Sequence, residues 1–216
     1  MERKSLVGKR RRTYDARGRR AQAERTRAAV LDAAERLFLD QGYATTAIGT
    51  IAEAAAVSPE TIYKAFRGKP GLVRAIRERR LAGKGPLAAE SRSDHTRRME
   101  TDPRKLVAEW GRLTAEVAPM VSPILLLVRD AAAADPDMAT RRSEMDADRL
   151  RRMTLNARHL HKAGHVRAGI SVATTADVLW TYSSPEVYEL LVLKCGWSPK
   201  RYGTFVGESI AAALLR

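Results

Sequence analysis

The sequence predicts an all-α fold in which a small three-helix domain is followed by a larger helical domain. Apolar residues recur at helical spacing through most of the chain. Two helices open with a serine that can cap the free amides and a proline that suits the first helical position, at Ser58-Pro59 and Ser198-Pro199. A stretch rich in Gly, Ser and charge, residues 82–103, separates the two domains.

Three helices are predicted in the N-terminal domain, residues 23–82. The first covers Glu24 to Gln41 and ends at Gly42, a suitable helix terminator. The second runs from about Ala47 to Ala55 with Thr46 as its cap, and the third from Pro59 to about Phe66. The last two helices and their tight turn have the order of a helix-turn-helix.

The third helix has one buried and one exposed face. Ile62 and Phe66 lie four residues apart on the buried face, whereas Glu60, Thr61 and Lys64 point outward. A short helix with such a face fits a DNA groove. The alternative is an ordinary helical bundle, in which the Thr, Ser and Lys residues cap helices and contact solvent.

From Thr45 to Leu72 the sequence resembles the DNA-binding domain of the TetR family of bacterial transcriptional regulators. Ala56 departs from that pattern, because many relatives have Gly there; a positive φ would strain this alanine by roughly 1 kcal/mol. The resemblance implies a bacterial, cytoplasmic, nucleoid-associated regulator that is not an enzyme. The matching positions are Thr45-Thr46, Ile51-Ala52, Ala55 to Ser58, Thr61-Ile62-Tyr63, Phe66, Lys69 and Leu72.

Particular DNA contacts are expected at this motif. Thr46, Tyr63 and Lys69 would bind phosphates, while the exposed start and middle of the third helix would approach base edges. Glu60 could instead stabilise the first turn of its helix, and Lys64 could instead bind a phosphate. The complete predicted set is Thr45, Thr46, Ser58, Pro59, Glu60, Thr61, Tyr63, Lys64 and Lys69.

Positive charge is concentrated in the N-terminal part of the chain. The 216 residues have a net charge of +14, of which residues 1–83 carry +10 and residues 84–216 carry +4. This distribution is typical of proteins that bind a polyanion with strongly salt-dependent affinity. Residues 1–22 are predicted to be a flexible basic arm, which either contacts DNA or is a solvated tail.

Several other classes of function are disfavoured. No apolar run approaches the roughly 20 residues of a membrane span, and no targeting sequence is evident, so a soluble protein is expected. Cys195 is the only cysteine, and its apolar neighbours favour core packing over a redox role. His159, His161 and His165 have no ligand partners at metal-binding spacing, so neither a metal nor a cofactor is expected.

Residues 83–103 are predicted to be a linker or loop, and residues 104–216 a helical regulatory and dimerisation domain. Pro119 and Pro123 are expected to separate its first two helices, the second of which should be buried all round. From Ala176 to Leu215 the sequence resembles, more loosely, the C-terminal part of a TetR subgroup. The predicted helices are Arg104 to Val117, Ile124 to Ala134, Met138 to Lys162, Ser171 to Tyr182, Pro185 to Cys195 and Pro199 to Leu215. The arginine-rich face of the helix from Met138 to Lys162 is expected to be solvated.

A homodimer is expected, because one helix-turn-helix buries little surface and gains specificity by repeating on a palindromic operator of double-stranded DNA. In the TetR family the last two long helices pair with their copies in a second subunit. The predicted interface residues are Val187, Leu191, Tyr202, Phe205, Val206 and Ile210.

TetR-like regulators are commonly released from DNA by a small-molecule effector bound in the C-terminal domain. Arg129 lies in an apolar stretch and needs a partner, for which an acidic ligand, Asp130, Asp177 or a surface position are all open. Each candidate could also be ordinary core. The predicted ligand-binding residues are Trp110, Met120, Leu126, Arg129, Met153, His159, Trp180 and Tyr188.

Three function classes therefore compete. The first is a repressor released from DNA by a ligand, the second a DNA-binding regulator or architectural protein without a ligand, and the third an enzyme with an added helix-turn-helix. A cavity in the C-terminal domain would favour the first, a filled core the second, and convergent titratable groups the third.

Overall fold

The computed structural model describes residues 7–82 and 88–216, with side chains from residue 16 onward, and the described chain is all-α as predicted. It divides into two compact units, one ending at Ala75 and the other beginning at Ile76. The first unit contains α1 (Val7–Gln41), α2 (Ile48–Ala54), α3 (Pro59–Phe66) and the start of α4 (Lys69–Ala82). Buried side chains of this unit include Val30, Leu37, Phe38, Ile51, Ile62, Phe66 and Leu72.

The first helix begins much earlier than the sequence predicts. Residues 7–22, expected to be a flexible arm, form the N-terminal part of α1. Arg, Ala and Gln favour helix formation, and Arg25 donates to the side chain of Gln22 at 2.7 Å. The arm prediction is therefore wrong for residues 7–22, and residues 1–6 lie outside the described part of the chain.

Part of the predicted linker is also helical. Helix α5 covers Ala89–Met99, with Glu90 in its first turn and two arginines in its last. Those charges complement the helix dipole, and Ser93 and Ala89 are buried. Residues 83–87 of the predicted linker are outside the described residues.

Helix α6 is one continuous helix, Pro103–Ala131, with Pro119 and Pro123 inside it. The predicted division at these prolines is wrong. Each proline removes one backbone hydrogen bond, at a cost of about 3 kcal/mol in an exposed helix. Burial of Val121 and Ile124 next to them offsets this cost. The helix is not buried all round, because Leu127 and other residues near its end are only half-buried.

By length and composition alone, α6 could cross a membrane, which the sequence analysis does not anticipate. In the structure, Leu106, Val107 and Trp110 of α6 belong to the hydrophobic core of the second unit. Tyr202 and Val206 lie in the same core. Core helices of globular domains share this length and composition.

The remaining elements of the second unit are close to the predicted ranges. Asp135 caps α7 through the amides of Asp137 and Met138, so this helix starts two residues earlier than predicted. The predicted helix after Pro185 contains a short α-turn followed by a π-helix. These elements are α7 (Pro136–Lys162), α8 (Val172–Tyr182), α9 (Pro185–Tyr188), the π-helix (Glu189–Lys194) and α10 (Pro199–Leu214).

Helices α6 and α10 cross with their backbones in contact. A Cβ atom on Gly111 would clash with the carbonyl oxygen of Gly203 and lie 3.0 Å from the nitrogen of Gly207. A Cβ atom on Gly203 would clash with the carbonyl oxygen of Gly111. Glycine at these positions therefore permits the crossing around which the second core forms.

Candidate nucleic-acid interface and ligand cavity

A tight turn joins α2 to α3. Ala56 has φ +52°, in the left-handed region, so the strain that the sequence analysis anticipates at this position is present. The amide of Val57 donates to the carbonyl of Ala52 at 3.0 Å. Ser58 then caps α3 by accepting from the amide of Thr61, and Pro59 occupies the first helical position, as predicted.

Helix α3 has the exposed face that the sequence predicts. Ile62 and Phe66 are buried and fix the helix orientation. Thr61, Tyr63 and Lys64 are exposed, with 56% of Tyr63 accessible. The surface of α3 is therefore polar and available to a partner.

Glu60 and Ser58 take part in capping α3. A hydrogen bond from the amide of Glu60 and one from the hydroxyl of Ser58 lower the pKa of the Glu60 carboxyl. This geometry favours first-turn stabilisation as a role for Glu60, although its side chain is exposed. The hydroxyl of Ser58 is similarly engaged, by the amide of Thr61.

Thr46 does not have the predicted roles. Its side chain is buried, and its hydroxyl lies 2.8 Å from the carbonyl oxygen of Gly42 and 3.2 Å from that of Leu37. The N-cap of α2 is Ala47, which makes no side-chain cap. The hydroxyl of Thr46 thus ties α2 to the end of α1 and is not available to cap α2 or bind a phosphate. Thr45 is exposed, with its hydroxyl bonded to the carbonyl of Gln41.

Lys69 is the first residue of α4, and contacts with Tyr43 fix the orientation of its side chain. Its Nζ donates to the carbonyl oxygen of Tyr43 at 2.7 Å and lies 4.4 Å from the centre of the Tyr43 ring. Arg67 and Gly68, which precede it, have φ +62° and +102°. An ammonium group has three donors, so this anchoring is compatible with a phosphate contact.

The second unit has a partly open cavity of about 220 Å³. Residues from α4, α5, α6, α7, α8, α9 and α10 line it. Trp110, Arg129 and Met153 are the predicted ligand residues that the structure brings together there. The core of the second unit is therefore not completely filled by side chains.

Five predicted ligand residues do not line the cavity. Tyr188 is buried and packs edge-on against Tyr202, with ring centres 5.6 Å apart. Burial, together with the neighbouring Tyr188, raises the pKa of Tyr202 to about 12. Trp180 lies under the guanidinium of Arg149, at 4.5 Å. The residues outside the lining are Met120, Leu126, His159, Trp180 and Tyr188.

The cavity has arginines that the sequence places on a solvated face of α7. Arg149 is 14% exposed and Arg152 is 20% exposed. Arg149 donates to the carbonyl of Trp180 at 2.5 Å, and burial lowers the pKa of its guanidinium. The prediction of a solvated face is wrong here. Nothing in the periodicity of α7 distinguishes these arginines, because Arg149 meets Trp180 of α8 and Arg152 meets α5 only in the folded unit.

Arg129 has two carboxylate partners within the chain. Its guanidinium lies 2.6 Å from Glu189 and 2.9 Å from Asp130. These hydrogen bonds raise the pKa of Arg129 and lower that of Glu189. The sequence analysis leaves Asp130 open as a partner of Arg129, and the structure shows this contact. Glu189 is a second partner, which the sequence analysis does not name.

The prediction that Tyr202, Val206 and Ile210 lie in a dimer interface is wrong, because these residues are buried inside the protomer core. Val187, Leu191 and Phe205 are half-buried against that core. The π-helix instead exposes Leu190 and Leu193, with 52% and 55% of each accessible. The sequence analysis misses these two because a π-turn shifts which residues face outward.

Cys195 is exposed, so the prediction of core packing is wrong. His161 Nε2 lies 2.9 Å from the hydroxyl of Thr175. Burial and the nearby Arg97 lower the pKa of His159. Within residues 7–82 and 88–216, no group of His, Cys, Asp and Glu is arranged to hold a metal ion.

Comparison with known sequences gives a family match in the first unit. The model for bacterial regulatory proteins of the tetR family matches residues 30–76. The HTH-type transcriptional regulator TtgR of Pseudomonas putida is 37% identical over 92 residues, which are 41% of this chain and 42% of TtgR. The HTH-type regulator YvkB of Bacillus subtilis is 37% identical over 65 residues, 30% of this chain and 34% of YvkB. The chain thus spans less than half the length of these curated relatives.

Solved structures share the fold over nearly the whole chain. NalD, the secondary repressor of the MexAB-OprM multidrug efflux pump in Pseudomonas aeruginosa, gives a TM-score of 0.71 at 18% identity, covering 89% of this chain and 98% of NalD. SmeT in complex with triclosan gives a TM-score of 0.69 at 22% identity, covering 88% of this chain and 92% of SmeT. The family model and the curated relatives that match part of the chain are all described as regulators.

Proposed function

Since the chain belongs to the TetR family of bacterial transcriptional regulators, we propose that it is a sequence-specific DNA-binding repressor that a small molecule releases from its operator. The observation that carries this proposal is the exposed polar face of α3. Its buried residues Ile62 and Phe66 hold that face rigidly behind a capped turn. The chain has the charge that DNA binding needs, with most of its net positive charge in residues 1–83.

The proposed DNA contacts divide into two kinds. Lys69 and Tyr63 bind phosphates and set the orientation of α3, without reading sequence. Thr61 and Lys64 contact base edges, with Thr61 suited to a thymine methyl group and Lys64 to guanine. Pro59 lies at the exposed start of the same helix, and Thr45 is exposed in the connection between α1 and α2.

A homodimer on a palindromic operator is part of the proposal. The exposed Leu190 and Leu193 of the π-helix, with the half-buried Val187, Leu191 and Phe205, provide the apolar surface for it. This set replaces the three residues that are buried within the protomer.

Release by a ligand is supported by the cavity in the second unit. Helix α4 starts at Lys69 and continues to Arg77, which lines the cavity. A ligand would release DNA if it bound more tightly to a conformation in which two α3 helices no longer match their half-sites. SmeT, a repressor of a multidrug efflux pump, binds triclosan, so a protein of the same fold has a ligand-bound form.

Selection from random duplex DNA with the full chain tests the function. We expect enrichment of a two-fold symmetric site, with half-sites about one helical turn apart or a multiple of it. A symmetric site that no small molecule releases would favour the alternative, a DNA-binding regulator or architectural protein without a ligand. Absence of any enriched sequence would contradict the proposal.

A further inference from the structure

Arginines outnumber their carboxylate partners along the cavity wall formed by α4, α5 and α7. The lining residues of these helices include four arginines, Arg77, Arg142, Arg149 and Arg152, and three carboxylates, Glu90, Asp146 and Asp148. With Arg129 and Glu186 added, the whole lining has five arginines and four carboxylates, an excess of one positive charge. Three aspartates are each shared between two arginines, and of these residues Asp94, Arg97 and Arg151 lie outside the lining. The shared sets are Asp94 with Arg97 and Arg152, Asp146 with Arg142 and Arg149, and Asp148 with Arg77 and Arg151.

Arg77 is the least well paired of the arginines that line the cavity. Its side chain is 17% exposed, and Asp148 lies 3.9 Å away, beyond hydrogen-bond distance. Asp148 is at the same time hydrogen-bonded to Arg151. The Nε of Arg77 is buried, with no acceptor among the described residues. Because a buried charge that lacks full pairing is costly, an anion near Arg77 would gain a strong interaction.

The part of the cavity lining that α6 supplies is mostly apolar. Leu113, Val117, Val121 and Leu125 of α6 line the cavity at helical spacing. Trp110 also lines the cavity, and its indole N–H is buried without an acceptor in the described chain. A molecule that fills this space therefore needs an apolar body and hydrogen-bond acceptors rather than donors.

We propose that the cavity binds an organic acid, with its apolar body against α6 and its carboxylate at Arg77. This inference rests on the proposed ligand-regulated function, because it names the class of effector. A carboxylate supplies the charge and the acceptors that the wall lacks. A protonated amine of the same shape would instead be repelled by the guanidinium groups of the lining.

Three probes of the same shape test the class of ligand: phenylbutyrate, phenylbutanol and phenylbutylamine. Their affinities for the full chain are measured by calorimetry in the absence of DNA. We expect the acid to bind at least about tenfold more tightly than the alcohol, and the amine to bind more weakly than both. An alcohol or amine that binds as tightly as the acid would overturn the proposal, as would failure of all three to bind.

Substitutions at one ion pair test the position of the carboxylate. Arg77→Gln should weaken the acid about tenfold and change the alcohol by no more than about twofold, so that alcohol binding also reports a folded cavity. Asp148→Asn should strengthen the acid several-fold, because it removes the competing carboxylate. Arg158→Gln, an exposed arginine of α7 outside the lining, is the matched control and should change neither affinity.

The variants also separate this inference from the proposed function. Equal acid affinity in the parent chain, Arg77→Gln and Asp148→Asn would overturn the carboxylate position. If the acid binds as expected but leaves the affinity for the selected operator unchanged, ligand release is contradicted while the class of ligand is supported.

Discussion

At the scale of single residues, Ala56 in the turn has a backbone conformation that is unfavourable for any residue with a side chain. Ala56→Gly should raise the free energy of unfolding by roughly 0.5–1 kcal/mol, because glycine tolerates φ +52° without steric cost. Ala54→Gly, at the end of α2, is the control and should lower it by a similar amount. Urea unfolding measures both, and a destabilised Ala56→Gly would show that the turn is unstrained.

A second prediction separates positioning contacts from base contacts. Lys69→Ala should weaken binding to selected and random duplexes alike and reduce the salt slope by about one, because it removes one phosphate contact. Thr61→Ala should instead lower the preference for the selected site, by about 1–3 kcal/mol at the contacted base pair. Fluorescence anisotropy at several salt concentrations measures both. Equal losses on both duplexes for the two variants would contradict the division of roles.

Residue roles were predictable where they depend on local chemistry. The cap at Ser58 and the buried pair Ile62 and Phe66 follow from spacing alone, and the structure has them. The role of Thr46 did not follow, because its hydroxyl bonds to carbonyls at the end of α1, which only the folded chain brings near. The same limit applies to Arg149, whose burial depends on neighbouring helices.

At the scale of elements, the crossing of α6 and α10 should be intolerant of added volume. Gly203→Ala is expected to lower the free energy of unfolding by roughly 1–3 kcal/mol, since its Cβ would meet the backbone of Gly111. Gly49→Ala is the matched control, because nothing lies near its Cβ position on α2, and it should be neutral or stabilising. Thermal unfolding compares them, and equal stability of the two variants would argue against close backbone contact.

The π-helix gives another prediction about an element. Combined substitution Leu190→Glu and Leu193→Glu should convert the proposed dimer to monomers, because both side chains are exposed in the protomer and would be buried between subunits. Leu155→Glu changes an equally exposed leucine of α7 and should leave the dimer intact. Analytical ultracentrifugation distinguishes the species. A dimer that survives the double substitution would place the interface elsewhere.

Element boundaries were predicted well where caps mark them and poorly where tertiary packing decides. The starts of α3 and α10 are confirmed, each with a serine cap and a following proline. Helix α6 passes through two prolines because burial of its neighbours compensates, and hydrophobic periodicity does not reveal this. The π-turn is invisible for a similar reason, since no residue type marks it.

At the scale of the whole molecule, the two units carry different parts of the proposed function. The family match covers residues 30–76, within the first unit and the first residue of the second, while the cavity belongs to the second. The helix-turn-helix was predictable from the sequence, because it depends on a local motif. The cavity was not, because its wall combines side chains from seven helices of the described chain.

The most direct test of the central claim is the ratio of affinities of the full chain for its selected duplex and for a scrambled duplex of equal length, at physiological salt. An α3 that reads base edges predicts a ratio of about 10³ or more. It also predicts that the scrambled complex is the more easily dissociated by added salt, because only phosphate contacts hold it. Equal affinity for the two duplexes would contradict sequence-specific DNA binding by this protein.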